Sequence, residues 1–329
     1  MANSKFKFIL LLLIFLLVIF LSLFFIYQNL FGAPNGNAIG ERFVVSLNSN
    51  DSDITNNLEK NGFIKSPWAF NFVLNWKKLQ NKIAPGGYKI SKAMNAWEIA
   101  RVLSGQSYMK WITIPEGLRK EEIANLLAKN LAWTEEEKQK WISTDTALKP
   151  DYFEGVYFPD TYLIPIDEKP ADVASRFQTH FEEKFAPYAK EAVKQNIKWT
   201  TLLTLASIIQ REAASKNDMN LIAGVLWNRL SVGMPLGVDA TIQYARGDTG
   251  AGFWAPIQLS DKKIDSPYNT FTHKGLPPHP ISNPGVEAIS SALNPEKTEC
   301  LYYLHDKSKI IHCAVTFEEH KQNIAKYLQ

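Results

Sequence analysis

The longest apolar stretch of the chain lies near its N-terminus. From Phe8 to Tyr27 every residue is apolar except Ser22. The length of this run matches the roughly 20 residues with which a helix crosses the hydrocarbon core of a bilayer. Lys5 and Lys7 precede the run, and the next basic residue is Arg42. The charge bias therefore predicts a cytoplasmic N-terminus, with the rest of the chain on the other side of the membrane.

A cleaved signal peptide is the competing interpretation of this run. The run is longer than the apolar region of a typical signal peptide, and residues 22–27 (SLFFIY) make a poor cleavage site because Ser22 is their one small residue. We therefore expect an uncleaved anchor in residues 1–30, with the membrane span at residues 8–27. Residues 31–41 are expected to form a short flexible linker.

Strand and helix patterns alternate between residues 42 and 110. Strands are predicted at Arg42–Leu47 and Gly87–Ser91, where apolar and polar residues alternate. Helices are predicted between them at Asp51–Lys60 and Trp68–Leu79, and a further helix at Asn95–Ser104. The strand–helix–helix–strand order is that of a LysM-type glycan-binding module.

Residues 111–329 are predicted to form a larger, mixed α/β domain, so that the chain as a whole is α+β. The predicted elements are a strand at 110–115, helices at 120–130, 171–195, 199–215, 218–232 and 284–293, a short helix beginning at Thr134, a hairpin spanning Cys300–Cys313, and a C-terminal helix. Capping boxes at Thr134/Glu137 and Thr316/Glu319 begin two of these helices. The helix at 171–195 is expected to be interrupted at Pro187.

The helix predicted at residues 199–215 carries an acid on its apolar side. At 100° per residue, one side of this helix collects Leu202, Leu205, Ala206, Ile208, Ile209 and Ala213. Glu212 falls between Leu205 and Ile208 on that side. Burial there would raise the pKa of the carboxyl group and suit it to general acid catalysis. The alternative, favoured by periodicity alone, is that Glu212 lies at the helix end and reaches solvent.

Loops fixed by prolines carry most of the other polar candidates. The set combines amides, hydroxyls and aromatic rings with little charge: Asp239, Thr241, Gln243, Tyr244, Tyr268, Asn269, Thr270 and Asn283. Such a set suits a neutral glycan, whose rings stack on aromatic faces and whose hydroxyl groups bond to amides. Each residue taken alone is better explained as part of a turn.

Composition and charge remove several classes of function. The 329 residues carry a net charge of only +3, which gives no broad basic surface for nucleic acid. The six histidines show no metal-ligand spacing, and two cysteines cannot form a zinc site alone. We therefore expect no metal, no cofactor and no nucleic-acid partner.

The two cysteines lie on the two strands of the predicted hairpin. If His305 pairs with Ile310, Cys313 lies opposite Tyr302, and Cys300 is only a diagonal neighbour. A disulfide is possible, but this register does not favour it.

Ordered motifs in the second half closely resemble those of the MltG (YceG-like) family of endolytic murein transglycosylases. These motifs are ASIIQREA at 206–213, LWNRL at 226–230, DATIQYA at 239–245, SPYNTF at 266–271, GLPPHPISNPG at 275–285 and ALNPEKT at 292–298. TIPEG at 113–117 and YFPDTY at 157–162 are similar to further family signatures. The resemblance covers nearly the whole chain and implies a YceG-like catalytic domain at residues 111–329.

The resemblance also implies the reaction and its catalytic residue. The family's glutamate, in the pattern ASI-x-x-[KR]-E, falls on Glu212, and Gln210 stands where many members have a second Glu. A lytic transglycosylase cleaves the MurNAc–GlcNAc bond without water. One carboxyl group protonates the leaving oxygen and then accepts a proton from the muramoyl 6-hydroxyl, which closes a 1,6-anhydro ring. Asn228, in the LWNRL motif, joins the eight loop residues as a candidate substrate-binding residue.

We therefore expect a membrane-anchored lyase that cuts nascent glycan strands outside the cytoplasmic membrane and limits their elongation. Its expected partners are peptidoglycan strands, the membrane and, as candidate proteins, cell-wall synthases. One alternative is hydrolysis by Glu212 and Asp239 as a pair of acids. The other is a non-catalytic, membrane-anchored scaffold that binds peptidoglycan and recruits cell-wall synthases.

Overall fold

The computed structural model describes residues 2–147 and 153–328, with side chains from residue 6 onward. The chain forms two compact units, one of residues 1–112 with 162–167 and the other of residues 113–161 with 168–329. Both units combine helices with strands, and the predicted α+β class is confirmed.

The first unit begins with the apolar helix and continues into a small sheet. Its elements are α1 (Ala2–Phe31), β1 (Gly40–Val45), α2 (Asp51–Lys60), α3 (Pro67–Trp76), β2 (Gly86–Ser91), α4 (Ala96–Leu103), β3 (Met109–Thr113) and β4 (Thr161–Pro165). Within α1, Phe6–Phe31 has a mean hydropathy of 3.5 over its most apolar part, which the protein does not bury, so the helix is long and apolar enough to cross a membrane.

The sheet of the first unit has the strand order β1-β2-β3-β4. β1 and β2 are antiparallel, with Phe43 opposite Tyr88 and both side chains in the core. Asn50 and Asn95 cap α2 and α4 through capping boxes, and Ser66 caps α3. The predicted strand–helix–helix–strand order is confirmed, whereas the LysM-like identity of residues 42–110 stays a prediction.

The second unit is mainly helical. Its elements are α5 (Lys120–Leu131), α6 (Glu135–Lys140), α7 (Pro170–Lys194), α8 (Trp199–Glu212), α9 (Met219–Ser231), α10 (Asp239–Arg246), α11 (Val286–Leu293), β5 (Tyr302–His305), β6 (Ile311–Ala314) and α12 (Phe317–Tyr327). The helix α8 lies at its centre, in contact with α7, α9, α10 and α11. Both predicted capping boxes, at Thr134 and Thr316, are present.

Two predictions about this unit are wrong. α7 continues through Pro187 without interruption. The segment from Asp239 to Tyr244 is part of α10, a helix, and not a loop. Its start is hard to detect because the preceding residue, Val238, has no side chain that can cap a helix.

Cys300 and Cys313 are joined by a disulfide, although the predicted register does not favour one. His305 lies opposite Ile311, one residue beyond the expected partner. The ladder ends at the pair Tyr302–Ala314, so the backbone at Cys300 is not held by strand pairing. The two Cα atoms are 5.9 Å apart, within the range of disulfides.

Candidate active site

The central helix α8 places Glu212 at the edge of the core. Its predicted apolar side is buried: Leu202, Leu205, Ala206, Ile208 and Ile209. Glu212 is the last helical residue, because Ala213 leaves the helix with φ −70° and ψ 131°. The carboxylate thus lies on the buried side but is only partly covered. Each of the two interpretations of Glu212 is therefore partly correct. The helix ends at Glu212, three residues before the predicted end, and the acid is nevertheless half-buried.

A tyrosine from the hairpin contacts Glu212 directly. The hydroxyl group of Tyr303, on β5, donates a hydrogen bond of 2.8 Å to Oε2 of Glu212. Burial, followed by the charge of Glu212, raises the pKa of Tyr303 well above its usual value, so this hydroxyl keeps its proton. The other carboxylate oxygen, Oε1, accepts no hydrogen bond from any described residue and is left to carry a transferable proton.

The pKa of Glu212 is raised above its ordinary value, and burial is the largest cause. The hydrogen bond from Tyr303 opposes this shift, the negative charge of Asp239 adds to it, and the charges of Arg229 and Arg211 oppose it. Glu212 also lies at the C-terminal end of α8, where the helix dipole disfavours a carboxylate. Glu212 therefore keeps its proton at higher pH than a glutamic acid in water does.

Arg229, from the LWNRL motif, connects the hairpin to the turn before α10. Its Nε donates to the carbonyl oxygen of Leu301 at 2.6 Å, and its Nη1 donates to that of Leu236. Because Leu301 precedes β5, this contact helps to hold Tyr303 in reach of Glu212. Sequence reasoning did not single out either Arg229 or Tyr303.

The residues before Glu212 bind the TIPEG turn. Gln210 donates from Nε2 to Glu116 at 3.4 Å, and its Oε1 accepts from the backbone N–H of Gly285 at 2.9 Å. An ionised Glu at position 210 would have no donor for Glu116, which gives a physical reason for Gln here. Arg211 places its guanidinium group 3.8 Å from the ring centroid of Trp254.

Several of the predicted substrate-binding residues form hydrogen bonds inside the protein. Thr241 and Thr270 are buried and bonded to each other at 2.9 Å. Asn269 is buried and donates to the carbonyl oxygens of Lys262 and Ile264, Gln243 donates to those of Trp254 and Ala255, and Asn228 donates to those of Thr298 and Cys300. These bonds shape the loops, and a contact of these side chains with substrate stays a prediction.

Asn283 lies at the centre of a buried polar cluster. Its Nδ2 donates to Glu154 at 2.8 Å and to the carbonyl oxygen of Leu118 at 2.9 Å, and its Oδ1 accepts from the N–H of Tyr157 at 2.8 Å. Glu154 is wholly buried, and burial, together with the charge of Glu121, raises its pKa to about 7. This second buried acid was not singled out from the sequence, because its partners lie far away along the chain.

Replacing Asn283 by Ala is expected to destabilise the protein strongly. The change leaves the N–H of Tyr157 and the carboxyl group of Glu154 without their buried partner, and unmet groups of this kind cost about 1–3 kcal/mol each. We expect the free energy of unfolding, measured by urea denaturation, to fall by about 3 kcal/mol. Asn294→Ala is the matched control, since this amide is exposed and bonds only within its own helix turn. Equal losses for the two variants would contradict the assigned role.

An aromatic cavity lies at the C-terminal end of α10. Tyr244 and Tyr268 have ring centroids 4.8 Å apart, and the Arg119 guanidinium group lies 4.3 Å from the Tyr244 ring. They line a cavity of about 490 Å³ together with Phe153 and His279. Asp239 lies at the other end of α10, exposed and near enough to Glu212 to affect its pKa. The helix α10 therefore links the surroundings of Glu212 with an aromatic surface that suits a sugar ring.

Comparison with known proteins is consistent with this arrangement. The YceG-like family matches residues 43–326. A protein of Bacillus subtilis named endolytic murein transglycosylase is 31% identical over 302 residues, which cover 85% of this chain and 82% of that protein. A Streptococcus pneumoniae protein of the same name is 28% identical over 314 residues, which cover 85% of this chain but only 57% of the longer relative.

The fold is also found in a solved structure. A YceG-like protein of Listeria monocytogenes, known from a crystal structure, has a TM-score of 0.60 and 28% sequence identity. The match covers 86% of this chain and 98% of that protein. Since the family match extends over most of its length, the chain belongs to the YceG-like family.

Proposed function

We propose that this protein is an endolytic murein transglycosylase, a lyase that cleaves MurNAc–GlcNAc bonds within peptidoglycan strands. The observation that carries the proposal is Glu212: one half-buried carboxyl group with a raised pKa, whose Oε1 is free of hydrogen bonds from described residues. The names of the relatives support the same activity. A reaction in which one group acts first as acid and then as base needs no second carboxylate on the opposite side of the bond.

In this mechanism Glu212 donates the proton on Oε1 to the glycosidic oxygen as the bond to C1 breaks. The resulting carboxylate then accepts the proton of the muramoyl 6-hydroxyl, while that oxygen bonds to C1 and closes the 1,6-anhydro ring. Tyr303 holds Oε2 throughout, so that Oε1 keeps its direction. Arg229 and Arg211 supply positive charge that stabilises the carboxylate between the two steps.

We further propose that α1 anchors the protein in the cytoplasmic membrane, with residues 31–329 outside it. The apolar helix supports the anchor, and the Cys300–Cys313 disulfide supports an oxidising compartment for the second unit. In this arrangement residues 42–110 form a glycan-binding module and residues 111–329 carry the reaction. Nascent strands emerge near the membrane, which would favour cuts within a strand and contact with cell-wall synthases.

Product analysis tests the proposed reaction. Purified, uncross-linked glycan treated with the protein is expected to yield fragments with 1,6-anhydro-MurNAc ends in mass spectrometry. Products heavier by one water would instead indicate hydrolysis with Asp239 as a second acid. Binding of glycan without any cleavage would indicate the scaffold function and overturn the proposal.

Asp239→Asn is expected to shift the pH profile of cleavage to lower pH. The negative charge of Asp239 raises the pKa of Glu212, so removing it lowers that pKa, and the proton needed for the first step is lost at a lower pH. Activity at neutral pH should fall by less than about tenfold, since Asp239 is exposed and acts through solvent. The pH dependence of kcat/KM measures the shift, with exposed Asp248→Asn as the control. Complete loss of activity would assign Asp239 a direct catalytic role.

A further inference from the structure

Three large aromatic side chains are exposed in a row on α3. Trp68, Phe72 and Trp76 are 65%, 40% and 69% exposed, and the spacing of four residues puts them on one side of the helix. The opposite side of α3 is buried in the core of the first unit. A contiguous exposed surface of this kind usually marks a site of contact with a protein or a membrane. We call these three residues the aromatic face of α3.

The aromatic face is continuous with the end of the apolar helix. Phe31, the last residue of α1, has its ring centroid 6.0 Å from that of Phe72, the middle residue of the face. Phe31 also contacts Tyr27 at 5.2 Å and packs against the core of the first unit. Aromatic side chains therefore extend without interruption from the last turn of α1 onto α3.

The connection between α1 and the rest of the first unit is held by hydrogen bonds. The Lys65 side chain donates to the carbonyl oxygen of Gln28 at 3.1 Å, close to the end of α1. The N–H of Asn35 donates to the carbonyl oxygen of Lys92 at 2.9 Å, and the Ser91 hydroxyl donates to that of Ala38 at 2.6 Å. Residues 31–41 are thus tied to the module, and the aromatic face keeps its position beside the end of α1.

The length of α1 sets the depth of this face in a bilayer. Residues 8–27 span about 30 Å at 1.5 Å per residue, the thickness of the hydrocarbon core. Phe31 then lies about 6 Å further along, at the level of the lipid headgroups. Trp and Tyr are enriched at that level because their rings suit its mixed polarity. Lys65, Lys77 and Lys78 are exposed near the two ends of α3 and would meet anionic headgroups.

We propose that the aromatic face of α3 docks into the headgroup region of the membrane that α1 crosses, outside the cytoplasm. The inference rests on the proposed anchor. Docking adds a second contact with the bilayer and holds the first unit against the membrane surface. A glycan fits the face less well, because the Phe72 ring lies between those of Trp68 and Trp76, at interplanar angles of 21° and 27°, and each Trp therefore turns one side of its ring toward a neighbour and not toward a sugar.

Fluorescence of the full chain in lipid vesicles tests the docking. The protein is reconstituted in phosphatidylcholine–phosphatidylglycerol vesicles, and flotation after alkaline extraction first establishes that α1 is inserted. The emission of Trp68 and Trp76 is obtained as the difference between the wild type and the double variant Trp68→Phe/Trp76→Phe. Since both side chains are exposed, the variant should fold normally, and its circular dichroism spectrum checks this.

If the face docks, lipids brominated near the headgroup should quench the emission of Trp68 and Trp76 at least about twofold. Acrylamide in the water should not quench this emission, because the bilayer shields both side chains. The opposite pattern, with acrylamide quenching and no effect of bromine, would overturn the proposal. If flotation fails, the anchor itself is wrong, and the docking falls with it. A second variant, Trp68→Ser/Trp76→Ser, distinguishes a membrane from a glycan as the partner of the face. If this variant loses binding to purified glycan, and bromine does not quench the wild type, the face binds glycan and the proposal is overturned.

Discussion

Glu212→Gln is expected to reduce the cleavage of uncross-linked glycan by at least about 10³-fold, the effect of losing a general acid that has no substitute. The amide keeps the size of the side chain and can still accept a hydrogen bond from Tyr303, so the site should hold its shape. It cannot donate a proton to the leaving oxygen or remove one from the 6-hydroxyl. Both steps of the proposed reaction are therefore lost together, and the release of anhydro-ended products, followed by mass spectrometry, measures the loss.

The matched control for this variant is Glu183→Gln on α7. Glu183 is 70% exposed at its side chain, and its one ion pair within the described part of the chain is with His180 on the same helix, at 3.8 Å. Its replacement should leave cleavage unchanged. Thermal unfolding of the Glu212→Gln protein should occur at or slightly above the wild-type temperature, because the change removes a carboxyl group that burial disfavours in its charged form. Activity retained by a folded Glu212→Gln protein would refute the assignment of the catalytic acid.

The position of Glu212 could be predicted because its cause is local. The 3.6-residue period of α8 places the acid beside Leu205 and Ile208, and both of these residues are buried in the structure. The same holds for helix starts such as Thr134 and Thr316, where the cap and its partner are three residues apart. Patterns that involve residues only three or four positions apart can be recognised in a single sequence.

The surroundings of Glu212 could not be predicted because they depend on contacts over long distances. Tyr303 is 91 residues away in the chain, and Asn283 meets Glu154 across 129 residues. No periodic pattern relates such pairs. The predicted hairpin is present, but its register differs by one residue, and the Cys300–Cys313 disulfide, possible but not favoured in the predicted register, joins Cys313 to a cysteine that lies beyond the end of the ladder. A register error of one residue changes every cross-strand neighbour.

Amides and hydroxyls in proline-rich loops suggested a glycan surface, yet the structure uses many of them to hold the loops. Thr241 and Thr270 are bonded to each other, and Asn269 ties its loop to Ile264. Composition alone cannot separate the two uses, since a buried loop needs the same donors and acceptors that a sugar does. The half-buried ring of Tyr268 beside the cavity and the exposed carboxylate of Asp239 stay candidates for contact with a glycan strand.

Tyr303→Phe is expected to lower the cleavage rate by about tenfold, the effect of losing one hydrogen bond to a charged group. Without the hydroxyl, Oε2 of Glu212 loses its only partner among the described residues, and the carboxyl group can turn away from the leaving oxygen. The hydrogen bond from Tyr303 also lowers the pKa of Glu212, so its removal raises that pKa further. The fall of activity at high pH, where Glu212 loses its proton, should therefore move to higher pH.

The shift of the pH profile expected for Tyr303→Phe is opposite to the shift expected for Asp239→Asn. Together the two variants distinguish an effect on Glu212 from a general loss of structure. A protein that is merely destabilised would lose activity without moving its pH profile in either direction. Tyr302→Phe is the matched control: its ring packs on His320 at 5.3 Å, and its hydroxyl makes no hydrogen bond to Glu212. We expect that variant to keep the wild-type profile of kcat/KM against pH. A profile for Tyr303→Phe that coincides with the wild type would show that Tyr303 neither tunes nor orients the catalytic acid.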